Sequence, residues 1–554
     1  MKRNTVVCLL ALLLTAGSSL SGCAAAAGDT SIAAAAAVSA ASDTDSGADT
    51  DSDTDADGEE NGDTETETTA LITTLSDLDL ADMFTERDES RTYDEEDVTA
   101  VITLRGDAVL IDGTGAAAGG TTVTITKAGV YVLSGTLDDG EIIVDAGDTD
   151  KVQLVLNGVD ITNADGPSIL VRSADKVFVT LTEGSENTLL DTGEAYAADE
   201  SLSSNLDGVI FSKADLVLNG SGSLSVNASY ANGIVGKDDL KITGGTYTIT
   251  AADKGIEAND SIRIENADIT IDAGDDGIHT DTDDTAGKGY VYIASGTLTI
   301  SAGDDGIHAA TALVITGGSI TVVTSYEGLE GDSIDITGGD IDVTASDDGL
   351  NTAFGSSETE GDAPQGGRGG GMDEADASYL CISGGSIHVT AGGDGIDSNG
   401  TFLLEGGTVL VDGPSGSGNG ALDVGSRATV TGGTIAAAGG AGMAVTFGED
   451  STQYSLLYYF PETISGGTEV VLTDAEDNEV LSFTPSKDFS SIVLCTEDLA
   501  EGAYTITAGS YRDTVTIDSI SAQAGTMRQT SQERGGRGAG FGEAREDFSA
   551  DESA

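Results

Sequence analysis

The chain has no tryptophan, 5 prolines, 3 histidines and 4 cysteines in 554 residues, with 23 basic side chains against 96 acidic ones. Each shortage excludes something. Aromatic residues make up 5% of the chain, an unusual basis for several ordinary packed cores. A formal net charge of −73 repels nucleic acid phosphates, which excludes DNA and RNA as partners. Neutral glucans are usually held on exposed aromatic platforms, and without tryptophan only tyrosines such as Tyr230, Tyr290, Tyr292 and Tyr326 could serve. Neither the Gly-Gly-x-Gly-x-Asp nonapeptide of calcium-roll toxins nor an EF-hand loop is present, so those calcium folds are out. Cysteine is equally sparse. Cys8 and Cys23 lie at the start of the chain, and Cys381 and Cys495, in different regions, fit a disulfide or two buried thiols.

What the chain has in quantity is glycine, 77 residues, and part of it is periodic. Asp275-Asp276-Gly277-Ile278-His279 returns as Asp304-Asp305-Gly306-Ile307-His308 and in looser form elsewhere. The marker glycines are Gly233, Gly255, Gly277, Gly306, Gly328, Gly349 and Gly395, at spacings of 22, 22, 29, 22, 21 and 46 residues. The basic step is therefore about 22 residues, with insertions. Most turns are followed by an apolar alternation around a glycine pair, as in Leu313-Val314-Ile315-Thr316-Gly317-Gly318-Ser319-Ile320. Each unit reads as strand, Gly-Gly corner, strand, acidic turn. Strands this short cannot bury both faces alone, but coils stacked about 4.8 Å apart pair in parallel and close an aliphatic interior. The expected fold is all-β, a parallel β-helix.

The flanks differ. Residues 1–22 carry Lys2 and Arg3, an apolar run and then Leu20-Ser21-Gly22-Cys23, the layout of a secretory signal. Small residues before a cysteine resemble the lipoprotein signal pattern, which implies that Cys23 is acylated and that the protein is extracytoplasmic, anchored to the membrane at the cell surface. Residues 23–76 hold twelve acids and no base between Asp43 and Glu67, a self-repelling tether. Residues 77–95 are expected as an N-terminal cap with a short helix, residues 96–448 as the β-helix, with a flexible insertion at 355–377. Residues 449–519 read as antiparallel strands forming a C-terminal β cap over the open end, and residues 520–554 as a disordered tail. A monomer is expected.

Stacking in register brings Asp253, Asp275, Asp304 and Asp347, with their neighbours Asp276, Asp305, Asp348 and Asp394, onto one corner. Carboxylates about 5 Å apart repel by roughly 0.8 kcal/mol per pair in water and about 3 kcal/mol at an effective dielectric of 20. Backbone N–H groups, protonation or a cation must relieve this. Asp before Gly also caps its own turn, which explains one acid per turn better than two. Calcium takes six to eight oxygens in flexible geometry and is the expected cofactor on the ledge. A second column follows the Gly-Ile/Leu step: Glu257, His279, His308, Glu330, Asn351 and Asp397. All are polar, so the column is expected to face outward and to contact sugar, with its two histidines contacting sugar or standing beside a metal.

The lipoprotein start, the Val155-Leu156-Asn157-Gly158-Val159-Asp160-Ile161 segment, the Asp-Asp-Gly-Ile turns, the Ile-Thr-Gly-Gly strands, the Gly-rich insertion and the β cap together resemble bacterial calcium-binding, carbohydrate-binding β-helix lipoproteins. The resemblance spans about residues 95–518. It implies a right-handed parallel β-helix that binds calcium and plant cell-wall polysaccharide, notably polygalacturonate (pectin) or cellulose, without catalysis. A −73 protein repels a polyuronate, so such binding needs bridging calcium. Two other classes remain open, a surface adhesin and a calcium-dependent polysaccharide lyase. For a lyase, Lys254 is the candidate base, with Arg263 and Lys288 as weaker ones; flanking carboxylates would raise the Lys254 pKa and make it a poor base unless calcium masks them.

Overall fold

The computed structural model describes residues 78–89, 93–193, 195–196, 205–281, 287–353 and 377–526. The signal, the tether, Cys23 and nearly all of the 355–377 insertion lie outside them. The fold is a parallel β-helix with almost no α-helix, as the repeat predicts.

One strand of each coil stacks in an unbroken parallel ladder. Ile142, Ile169, Ile210, Ile234, Ile256, Ile278, Ile307, Leu329, Leu350, Ile396 and Leu422 follow one another in register along it. All face inward and are essentially inaccessible. Alternation along strands such as Thr246–Ala251 and Asp268–Ala273 places every second residue in the same core. Two kinds of glycine shape the coil. At the Gly-Gly corners the second residue takes a left-handed backbone, with φ of 96° at Gly318 and 103° at Gly339, which a Cβ disfavours. The marker glycines have a different reason. A Cβ on Gly277 would stand 2.6 Å from the carbonyl oxygen of Gly306 in the next coil and closer still to Ile300.

The first coils are sealed by two antiparallel pairs, Val98–Gly106 with Val109–Gly113 and Ala116–Gly119 with Thr122–Ile125. The cap expected from residues 77–95 is not there. Residues 78–89 instead run along the side of the solenoid, with a single helical turn at Glu86–Glu89. Met83 packs among Tyr290, Tyr292 and Val314, Arg263 donates to the Met83 carbonyl at 3.3 Å, and buried Asp88 bridges Lys241 at 3.1 Å and Lys176 at 3.5 Å. Burial opposes the Asp88 charge, yet these two ammonium groups hold its carboxyl below the ordinary range. The segment has enough apolar residues to bind a sheet face, so it closes a side rather than an end.

At the other end Phe489–Cys495 pairs antiparallel with both Thr434–Gly439 of the last coil and Ser455–Ile464. A separate four-stranded sheet of Val470–Thr473, Glu479–Phe483, Gly502–Ala508 and Tyr511–Ile517 completes the module. The strand Ser521–Gly525 pairs with Ser455–Tyr459, so ordered structure continues past residue 519, where the tail was expected to begin. Cys495 is a buried free thiol, which excludes a bridge to Cys381; Cys381 is disulfide-bonded, and its partner lies outside the described residues.

Candidate functional site

The residue before each marker glycine lies beside its equivalent in the next coil, because the glycine N–H donates to that residue's carbonyl: Gly255 to Asp276, Gly277 to Asp305, Gly306 to Glu327, Gly328 to Asp348 and Gly349 to Asp394. Their side chains do a second job. Asp276 accepts the Asp305 N–H at 2.9 Å, Asp348 the Asp394 N–H at 2.5 Å, and Asp394 the Gly420 N–H at 2.5 Å. The second acid of the turn therefore staples its coil to the next, and each carboxylate spends one oxygen on that bond.

The remaining oxygens gather in three groups rather than one continuous ledge. Ligating atoms lie within 4.8 Å of one another in Asp275–Asp276–Asp304, in Asp305–His308–Glu330 and in Asp348–Asp394–Asp397. Asp253 and Asp347 join none of them. Asp305 pairs with a histidine rather than with other aspartates, and Asp397, expected to contact sugar, stands with the carboxylates.

The three groups differ chemically. The first already contains a cation: Lys254 Nζ lies 2.5 Å from Asp275 and 3.7 Å from Asp276. Burial opposes the Lys254 charge, but these carboxylates raise its pKa above the ordinary value. In the second, His308 Nδ1 meets Glu330 at 2.9 Å and Asp305 at 3.1 Å. Burial pushes the Asp305 carboxyl up to about 9, aided by Glu330 and opposed by the His308 hydrogen bond. His308 itself is raised well above the usual imidazole range, because its bonds to Asp305 and Glu330 outweigh burial. In the third, burial pushes Asp348 up to about 7, with Asp347, Asp394 and Glu327 adding repulsion. Beside it Asn351, 8% exposed, donates to Glu327 at 2.6 Å, while its Oδ1 is buried with no hydrogen-bond partner.

The column expected to be exposed is not. Glu257, His279, His308, Glu330 and Asn351 point out of the solenoid, yet each is only 7–9% exposed, because the neighbouring turns wall them in. Glu257 is held by Lys237 at 2.5 Å and Asn232 at 2.8 Å. His279 Nδ1 bonds Asp276 at 2.7 Å, and the His279 and His308 rings stack 4.8 Å apart at 18°. Burial disfavours the His279 charge, but Asp276 and Asp281 more than compensate and raise its pKa. Around these residues lies a cleft of about 470 Å³, lined by Asp207, Lys237, Lys254, Glu257, His279, Asp304 and His308 among others. Lys237, Asn232, Asp207 and Glu327 were not identified from the sequence. Asn232 and Glu327 could have been, since each stands directly before a marker glycine. Of the other bases considered for catalysis, Arg263 is bound to Asp239 at 2.8 Å and Lys288 to Asp260 at 2.7 Å. Tyr290 and Tyr292 are buried under residues 78–89 and offer no sugar platform.

Comparison with known proteins gives this architecture a context. Residues 119–364 match the model of a family described as carbohydrate-binding domain-containing protein. A protein of that description from Acetivibrio thermocellus is 41% identical over 156 residues, 28% of this chain and 54% of the relative. The chain thus spans about half the length of the curated relative it matches. A solved structure described as that of the polysaccharide lyase-like protein from C. thermocellum, a gadolinium derivative, is 36% identical. It covers 47% of this chain and 98% of its own, with a TM-score of 0.40, too low to bear on the fold.

Proposed function

We propose that this protein is a cell-surface lipoprotein that binds an acidic plant cell-wall polysaccharide, of the polygalacturonate type, through calcium held on the acidic turns, without cleaving it. The observation that carries the reading is the third group. Asp348, Asp394 and Asp397 converge within 4.8 Å, and Asn351, which pairs with Asp397 across adjacent coils, has a buried Oδ1 with no hydrogen-bond partner. Three carboxylates and a neutral amide oxygen suit a hard cation with flexible oxygen coordination, whereas the imidazole of the second group suits one poorly. Calcium, when bound, supplies the positive charge that lets two polyanions meet. The chain's own part is to hold the carboxylates in register and to keep the remaining acids neutralised by Lys254, Lys237 and the two histidines.

The family match over residues 119–364 supports a carbohydrate partner. Catalysis is disfavoured by Lys254, whose ammonium is held by Asp275 and Asp276 and is a poor base unless calcium masks those carboxylates. The anchor is placed on Cys23 by the signal pattern. The mass of the Cys23 peptide tests the acylation.

The deciding experiment titrates polygalacturonate into protein lacking residues 1–23, in calcium and then in chelator, while following absorbance of unsaturated product. Calcium-dependent binding with flat absorbance is expected. A rising trace would make the protein a lyase, and no binding in calcium would end the polyuronate reading in favour of an adhesin.

A further inference from the structure

We propose that Tyr326 is a stacking platform for one ring of a polyuronate chain that lies along the solenoid axis, its neighbouring carboxylates reaching the cation groups on either side. The inference rests on the function proposed above and adds the direction of the ligand and the residue that selects a sugar ring.

Backbone bonds define the column of first turn residues. Asp253 donates to Ala231, Asp275 to Asp253, Tyr326 to Asp304 at 2.7 Å, Asp347 to Tyr326 at 2.8 Å and Gly393 to Asp347. In this column Tyr326 takes the place of an aspartate, between Asp304 of the first carboxylate group and Asp347, whose neighbour Asp348 belongs to the third. A ring here interrupts the line of charge where a continuous ledge would put another acid. It is also presented outward: Tyr326 is 47% exposed, one of the few large apolar side chains so placed among the described residues.

The local backbone makes that position rigid. Between Ile300 and Ser301 the pairing with the next coil slips by one residue, so that Ser301 opposes Thr324. The bulge turns Val323 outward, 49% exposed, and leaves an apolar pair on a polar corner. Ser325 beneath is 4% exposed and donates to the Thr344 carbonyl at 3.5 Å, and the Asp347 carboxylate near the Tyr326 hydroxyl raises the phenol pKa. The ring therefore has a fixed base, held by backbone bonds to the coils on both sides.

The spacing suits a polymer. Asp304 and Asp348 are two coils apart, roughly 10 Å at the usual strand separation, with Tyr326 midway. One pyranose ring is about as long as one coil is tall, so a 1,4-linked chain along the axis sets successive rings over successive coils. A ring on Tyr326 then has neighbours over both carboxylate groups. Sugar rings present C–H faces that pack on an aromatic surface, and the contact needs no charge.

The test is calorimetric titration of a defined galacturonate oligomer in calcium, with calcium binding and thermal stability of each variant measured separately. Tyr326→Ala and Tyr326→Leu should weaken oligomer binding about five- to tenfold, and Tyr326→Phe by no more than about twofold. Calcium binding without sugar and the melting temperature should not move. If wild type binds and Tyr326→Ala binds equally well, or if Tyr326→Ala loses calcium, the platform is overturned while calcium-dependent binding stands. If wild type fails to bind in calcium, the proposed function falls and the platform with it.

Discussion

Two stretches of one register column have opposite chemistry. Ile143, Leu170, Phe211 and Val235 are followed in the same outward column by Glu257, His279, His308, Glu330, Asn351 and Asp397. Their backbones are equivalent, so the difference lies in what covers them. Leu206 and Tyr196 close over the aliphatic stretch and form a small second core outside the solenoid. Among the described residues the polar stretch has no such apolar cover, and its Glu257, His279 and His308 line the cleft. One ladder therefore supports either a packed face or a charged site, depending on whether the intervening loop brings apolar residues back over it. Buried polar groups demand partners, which is why the second stretch is laced to Lys237, Asn232, Asp276 and Asp305, while the first is laced to nothing.

The largest effect should come from breaking the packed stretch. Phe211→Ala removes a wholly buried ring and should cost about 3–4 kcal/mol in chemical denaturation, whereas Asn351→Ala should cost no more than about 1 kcal/mol. Equal losses would mean the two stretches are not built differently. Next is metal. Calcium at a hundredfold excess over its dissociation constant should stabilise by about 2.7 kcal/mol, reversed by chelator and absent in an Asp348→Asn, Asp394→Asn double variant. Stabilisation that survives in that variant would place the ion elsewhere.

At the boundary, Glu257→Val extends the aliphatic stretch by one coil but strips the Lys237 ammonium of its partner. A loss of about 2 kcal/mol is expected, with much of it recovered by adding Lys237→Met; a single variant as stable as wild type would show that the column tolerates either chemistry there.

The smallest effect lies away from both stretches, where His388 Nε2 meets Asp412 at 3.2 Å, with Asp342 on the other ring nitrogen and Ser486 of the cap on Asp412. The Asp412 hydrogen bond raises the His388 pKa. Burial favours neutral Asp412, but His388 and Ser486 outweigh it and lower its pKa. The histidine contribution is full below its unfolded value of 6.5 and fades as pH rises through the folded one. The aspartate contribution is full above its unfolded value of 3.8 and fades as pH falls. The pair should stabilise most between those values. Asp412→Asn should lower the melting temperature within that window and flatten the profile on either side of it, and an unchanged profile would remove the pair from the account.

How much of this could be read without coordinates follows from the kind of interaction. Coil length, the inward isoleucines and the acidic turns are local and periodic, so one sequence suffices to align Asp276 with Asp305 and His279 with His308. Even the cap strands are visible by alternation. The sideways path of residues 78–89 was not, because Asp88 meets Lys241 across 153 positions and nothing local signals that pairing. The burial of the polar column was missed for a related reason. Polarity was taken to mean exposure, but a charged side chain can be walled in when its partners stand on adjacent coils.

The sequence by itself determined that the chain coils, since a 22-residue period with inward aliphatics is satisfied only when coils stack. It determined, too, that acids would meet acids. Tertiary structure alone decided how that conflict is settled. Oxygen atoms a few ångströms apart are distributed among backbone N–H groups, Lys254, two imidazoles and one group with an orphaned amide oxygen, and that distribution depends on side-chain directions that no spacing encodes. It also decided why the marker positions must be glycine: the obstacle is not their own backbone angle but the carbonyl of the next coil, which is near in space and 21 or more residues away in sequence.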